Sequence, residues 1–230
     1  MDSRPHFTFS GDAEQLGALR RKLLWQIAWR KNPGLQGRVE LLQKVAQYQD
    51  EFPDVGAVGF DDFVQDSVTE YVRDVGILCL SETGSCPVMF YHYADAHRGI
   101  CMRFRTNSGY FAMAESVSYG TGYPEIDYFA DDDGSEFERI FLRKYKSWSY
   151  EREWRVVDFN NKYTDKTSRL LEYESHLLES VIFGYLMSEE EKNRVAGLLK
   201  RANRTVNLLQ AKLKQKSFEL EIVPWSDAGF

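Results

Sequence analysis

The sequence predicts an α+β fold in one domain spanning residues 1–230, and three observations predict it. Apolar residues recur at helical spacing up to about Asp74. From Val75 onward, short apolar runs and period-two alternation replace that pattern. The hydrophobic fraction is 43%, with fifteen Phe, thirteen Tyr and five Trp, which suffices for a sizeable core, while sixteen Gly and six Pro leave few residues for linkers. The expected architecture is a helical portion, residues 1–74, packed on a mostly antiparallel sheet built from residues 75–230.

The helical portion reads as three helices. Leu16, Leu19, Leu23 and Ile27 keep one stripe with Trp25 and Trp29 beside it, and Asp12 is placed to cap its start. Asn32-Pro33-Gly34 ends that helix, because proline lacks the donor and glycine permits a left-handed exit. Leu41, Leu42, Val45 and Tyr48 mark a second helix. Phe60, Phe63, Val64, Val68 and Tyr71 mark a third, after a loop over Pro53–Gly59. Bases dominate from Arg20 to Lys44 and acids from Asp50 to Asp74, an alternation that reads as solvated helix faces.

In the second portion, Val75–Ser81 reads as a buried strand, Glu82–Cys86 as a turn, and Pro87 opens a short helix through Phe90 and Tyr93. Gly99–Phe104 and Phe111–Tyr119 read as strands. The acidic stretch Glu125–Glu138 reads as a surface loop leading into a helix with Phe137, Ile140, Phe141 and Tyr145. Glu153–Phe159, Arg169–Tyr173 and Glu179–Phe183 are further expected strands. Ser188, with Glu191 three residues on, spells a capping box for a helix carrying Val195, Leu198 and Leu199. Thr205–Leu213 and Phe218–Val223 are expected to pair as a hairpin, with Phe218, Leu220 and Ile222 buried and Glu219 and Glu221 wet.

Composition excludes several function classes. Twenty-nine Lys and Arg against 35 Asp and Glu give a net charge of −6, a poor match to coating nucleic acid or an anionic membrane. Cys79, Cys86 and Cys101 contain no C-x-x-C pair, which argues against a disulfide scaffold or a cysteine zinc site. Neither a signal-peptide h-region nor an apolar run of roughly 18 residues is present, so a cytoplasmic location is expected. His92 and His97 are five apart, not the four that a helical zinc pair needs. Asp131-Asp132-Asp133-Gly134 fails as a calcium loop at Phe129 and Ile140. No metal is expected. The acid-free basic face within Lys192–Lys216 suits phosphate contact or plain solvation, so a nucleic-acid partner has only that support.

The segment from Lys144 to Arg155 carries the most chemistry. Glu151 and Glu153 are two apart and share a face if the segment is a strand. Lys144, Lys146, Arg152 and Arg155 can hold them in structural salt bridges. Alternatively, the two carboxylates stabilise positive charge developing at a sugar carbon, with Trp148 and Tyr150 offering flat faces to a ring.

Four stretches in order, Gly76-Ile-Leu-Cys-Leu-Ser81-Glu82, the Pro87–Gly99 segment with Tyr93 and His97, Trp148-x-Tyr150-Glu151-x-Glu153-Trp154-Arg155, and Val181-Ile-Phe-Gly184, resemble the landmarks of the bacterial family known as domain of unknown function 2971. Phe90 stands where that family often has Trp. The strand ending at Ser81, the helix with Tyr93 and the Glu-x-Glu are also distantly similar to the core of ADP-ribosyltransferase folds, including toxins that modify DNA. That resemblance implies Glu153 as catalytic carboxylate, Glu151 as its partner, and Ser81, Tyr93 and Trp148 around NAD as substrate. It also implies a core that lacks the first strand, which in transferases holds the His or Arg gripping the cofactor. The function so implied is an NAD-dependent transferase-like toxin or defence domain acting on an unidentified macromolecule. The rival is a non-catalytic nucleotide- or protein-binding domain of the same fold. If the site exists, Ser81, Tyr93, Glu151 and Glu153 must converge on one cleft.

Overall fold

A computed structural model of the chain describes residues 11–32, 38–73, 75–124, 138–159, 170–202 and 204–226. The chain divides into two compact units, the first including everything up to Gly76 and the second comprising Ile77–Pro124, Ile140–Asp158 and Thr167–Phe230, so that the division falls beside the change of texture at Asp74.

The first unit is helical. Its elements are α1 (Ala13–Lys31), α2 (Arg38–Gln49) and α3 (Phe60–Arg73). Asp12 caps α1 as expected: its Oδ1 accepts the Gln15 N–H at 2.9 Å, and the Asp12 N–H donates to Gln15 Oε1 at 2.9 Å. Leu19 and Leu23 are buried, joined by Leu24 and Ala28, and pack with Val45 of α2 and Phe60, Phe63, Val64 and Val68 of α3. Trp29 stays exposed. Asp61 and Asp62 in the first turn of α3 and Arg73 in its last match the helix dipole. Arg20 departs from the solvated reading of its neighbourhood. Its guanidinium donates to the carbonyls of Gln49, Phe52 and Pro53 at 2.7–2.8 Å, pinning the α2–α3 connection to α1.

Among the described residues the second unit contains three sheets rather than one. Strands β1 (Gly76–Ser81), β3 (Glu115–Ser116) and β6 (Glu153–Asp158) form a three-stranded sheet with β6 in the middle. The largest sheet runs β2 (Ile100–Phe104), β7 (Leu178–Phe183), β8 (Asn207–Leu213), β9 (Leu220–Pro224). The third is a parallel pair, β4 (Ser118–Gly120) beside β5 (Arg143–Tyr145). Helix α4 (Pro87–Tyr93) links β1 to β2, and α5 (Glu189–Arg201) carries the chain from β7 to its parallel neighbour β8. A parallel pairing needs such a crossover, so the four-stranded sheet is mixed, not simply antiparallel. Its strand β7 is covered on both faces, and five of its six residues are buried, Ser180 among them. Phe90, Ala94, Ile182, Ala211 and Leu220 form the core on one side; Leu178, Val181, Phe183 and Met187 form it on the other.

The β8–β9 hairpin forms, with Leu213 opposite Leu220 and Ala211 opposite Ile222. Phe218 is the exception, exposed in the turn instead of buried in the strand. Phe111–Tyr119 is not one strand. A 3₁₀ turn over Gly109–Met113 buries Phe111, and only the short β3 and β4 follow. Ile140, Phe141 and Tyr145 do not share a helix, because the chain turns through Phe141 into β5. Phe137 and the acidic loop before it lie outside the described residues. Arg169 does too, and residues 170–173 form no strand; the Tyr173 ring instead meets Phe104 edge-on at 5.2 Å. Ser188 caps α5 through the Glu191 N–H at 3.2 Å, but the Glu191 carboxylate pairs with Arg194 rather than completing the box.

The turn after α4 is tightly wound. Asp95, Ala96 and His97 all take positive φ, at 46°, 47° and 70°, a conformation that costs roughly 1–2 kcal/mol per non-glycine residue. What holds it is close backbone packing against the end of β7. Gly184 donates to Gly99 O at 2.9 Å, Leu186 donates to His97 O at 3.1 Å, and a Cβ on Gly184 would stand 2.1 Å from the His97 carbonyl oxygen. The His97 ring lies 4.6 Å from Tyr185 and stacks on Phe90, and burial pushes its pKa down. It therefore anchors a turn.

Candidate functional site

Five residues singled out in the sequence come together in the second unit. Lys144 lies on β5, the 3₁₀ turn Lys146–Glu151 follows at once, and Glu153 opens β6. Arg152 between the two acids is left-handed, at φ 45° and ψ 54°. Glu151 and Glu153 thus converge through a kink, not by sharing a strand face. Both are buried, at 3% and 5% exposure.

Their charges are matched in place. Lys144 Nζ bonds Glu151 Oε2 and reaches Glu153 Oε2 at 2.9 Å. Arg155, two residues along β6 and so on the same face, donates Nε to Glu153 Oε1 at 2.8 Å and Nη2 to Oε2 at 3.1 Å. Tyr93, the last residue of α4, donates its hydroxyl to Glu151 Oε1 at 2.7 Å. Ser81, ending β1, donates to the Glu151 backbone carbonyl at 2.6 Å, so it positions the main chain and not the carboxylate. The Trp148 ring lies 5.1 Å below the Lys144 ammonium and 6.3 Å from the His92 ring.

These contacts set the protonation states. Burial pushes the Glu153 pKa up, but the hydrogen bonds from Arg155, Lys144 and the Cys79 thiol prevail and hold it at about 2. Tyr93 rises to about 12, first because its proton is bound to Glu151. Cys79 rises to about 11, mainly through burial, then through its bond to Glu153. For Lys144 burial acts downward, yet the bonds to both glutamates raise its pKa overall.

Three contributors were not singled out by the sequence reading. Tyr119 on β4 accepts the Glu153 N–H on its hydroxyl at 2.8 Å. Glu82 binds Arg152 twice, its N–H donating to Arg152 O at 3.2 Å and its carboxylate meeting Arg152 Nη2 at 2.6 Å, and it also accepts the Trp154 indole N–H at 3.0 Å. Cys79, on β1 like Ser81, supplies the thiol at Glu153. Only Cys79 carried a sequence signal, lying two residues before Ser81 and hence on its face.

Around the buried charges lies an open aromatic surface. Tyr93 is 63% exposed and Trp148 38%, while Tyr91 and Tyr145 are exposed nearby in sequence. Among the described residues no group of three or more His, Cys, Asp or Glu could hold a metal ion, and no helix is long and apolar enough to cross a membrane. Comparison of the chain with protein-family models, with curated proteins and with solved structures finds no match.

Proposed function

We propose that the second unit is a nucleotide-binding domain that receives a ring on Trp148 and Tyr93 and does not cleave its ligand. The observation that carries this reading is that both carboxylates are already satisfied. Glu153 is held by Arg155, Lys144 and Cys79, and Glu151 by Lys144 and Tyr93, so two negative charges meet two positive ones in a buried site. Such a network fixes the orientation of the residues above it. A carboxylate that must face a sugar cation would need a free oxygen toward solvent. A nucleotide fits the surface by charge as well: residues 143–155 carry five bases and two acids in a chain of net charge −6.

A second reading, the NAD-dependent transferase of the sequence resemblance, is favoured by one observation. Glu153 is kept ionised near exposed rings from two other segments, as a carboxylate that stabilises a ribosyl cation would be.

Calorimetric titration with adenosine, AMP and NAD, run beside an assay for nicotinamide release, tests both. Binding without release, weakened roughly tenfold or more by Trp148→Ala as the loss of a base–aromatic stack requires, is the expected result. Sustained nicotinamide release by the wild-type chain would replace the binding reading with the transferase one. Absence of any binding would end both.

A further inference from the structure

The loop that follows Ser81 has the makings of an anion site. Its sequence is Glu82-Thr83-Gly84-Ser85, and it lies on the face of the four-stranded sheet that carries Cys101, Arg103, Ser180 and Ile182. A Cβ added to Gly84 would sit 3.0 Å from Ile182 Cδ1, 3.7 Å from Cys101 Sγ and 3.8 Å from Arg103 Nη2. The glycine is what lets the loop approach so closely, and the approach brings it to a guanidinium.

Two arginines flank this loop. Arg152 is bound at Glu82, and Arg103 is at Gly84, two residues on and so within about 7 Å along the chain. Arg103 is exposed and has no carboxylate or hydrogen-bond partner among the described residues. In the same loop the Thr83 and Ser85 hydroxyls stand 3.4 Å apart, and either can donate. Ser180, directly opposite Arg103 in the β2–β7 register and hence on the same face, is 1% exposed, and its hydroxyl has no partner among the described residues. The only acid in the loop is Glu82, already engaged with Arg152 and Trp154.

We propose that this loop is a phosphate subsite, its anion held by Arg103, by the Thr83 and Ser85 hydroxyls, and by Arg152 in exchange for Glu82. The proposal rests on the nucleotide reading above and sharpens it by placing the ligand's phosphate in this loop. The loop belongs to the same site, since Ser81 Oγ joins the Thr83 carbonyl at 3.3 Å to the Glu151 carbonyl at 2.6 Å.

The experiment titrates adenosine, AMP and inorganic pyrophosphate into wild type, Arg103→Met and Glu82→Gln. The expected result is AMP binding at least tenfold tighter than adenosine, with Arg103→Met removing that advantage and leaving adenosine unchanged. Glu82→Gln, which frees Arg152, strengthens AMP and pyrophosphate binding. Equal affinity for adenosine and AMP overturns the phosphate subsite while the nucleotide reading stands. Pyrophosphate binding that depends on Arg103, with no binding of adenosine or AMP, keeps the anion subsite and ends the nucleotide reading. No binding of any of the three ends both. Arg103 is exposed and unpaired, so circular dichroism of Arg103→Met should match wild type and separate these outcomes from misfolding.

Discussion

Arg155 holds Glu153 by two nitrogens at once, Nε on one carboxylate oxygen and Nη2 on the other, from two positions along the same strand. With Lys144 on the second oxygen, Glu153 answers two cations that are themselves only 15% and 21% exposed. Glu153→Gln would leave Arg155 without its carboxylate and Lys144 with Glu151 alone, and breaking a buried pair from one side costs about 3 kcal/mol or more. Urea unfolding should show that loss. The substitution therefore perturbs the fold as well as the charge, and an unchanged midpoint would mean that the network adds nothing to the fold.

The same carboxylate sets an acid limit. Glu153 titrates at about 2 in the folded chain against an ordinary 4.5, so the folded state binds its proton less readily than the unfolded one. Its contribution is complete above pH 4.5 and is lost as the pH falls through 2. Stability measured from pH 5 to 2 should fall more steeply in wild type than in Glu153→Gln.

Arg152 tolerates glycine better than valine. Its φ of 45° suits glycine, and the ion pair that it would give up to Glu82 is largely exposed, worth at most about 1 kcal/mol. Thermal melting should place Arg152→Gly within about 1 kcal/mol of wild type, and Arg152→Val at least about 2 kcal/mol below it, because a β-branched side chain resists the left-handed region. Equal melting points for the two would mean that the kink is not required.

Gly184→Ala should be among the most damaging single-atom additions. The new Cβ would meet main chain, 2.1 Å from His97 O and 2.6 Å from its carbonyl carbon, and backbone cannot swing aside as a flexible side chain can. A loss of at least about 2 kcal/mol is expected, of the size that overpacking produces. Near-UV circular dichroism should change with it, since His97 stacks among Phe90 and Tyr185.

Arg20→Met should loosen the helical unit by about 2 kcal/mol, since three backbone carbonyls of the α2–α3 connection lose one shared donor. Amide exchange should quicken in α1–α3 and stay unchanged in the strands of the second unit.

The helices and the hairpin were legible because their signals are local. Asp12 and Gln15 spell a cap, and Leu220, Glu221 and Ile222 spell alternation, without reference to anything distant. The Phe111–Tyr119 run was misread because aromatics fill a strand and a 3₁₀ turn equally well; burial of Phe111 was visible, its backbone was not. The convergence of Tyr93, Ser81, Glu151 and Glu153 was an expectation of the resemblance to transferase folds, not of their spacing. The pairing of Arg155 with Glu153 follows from their spacing of two on one strand, but that Lys144 would reach both acids depends on distances between β5 and β6 that no spacing encodes. Arg20 lay among bases that looked solvated, because, besides the exposed Asp54 carboxylate, its acceptors are carbonyls, which every residue has.

The pairing of β2 with β7 has a consequence for synthesis. Ile100 meets Phe183, eighty-three positions later, so β2 leaves the ribosome long before its partner exists. At roughly 5–20 residues per second the gap lasts about 4–16 s. Throughout it, β2 presents an unpaired edge with Ile100 and Met102 beside it, the kind of strand that nucleates wrong pairings. Slower translation between them lengthens that exposure, and yield in cells should depend on codon choice over residues 105–177 and on the supply of holdase chaperones.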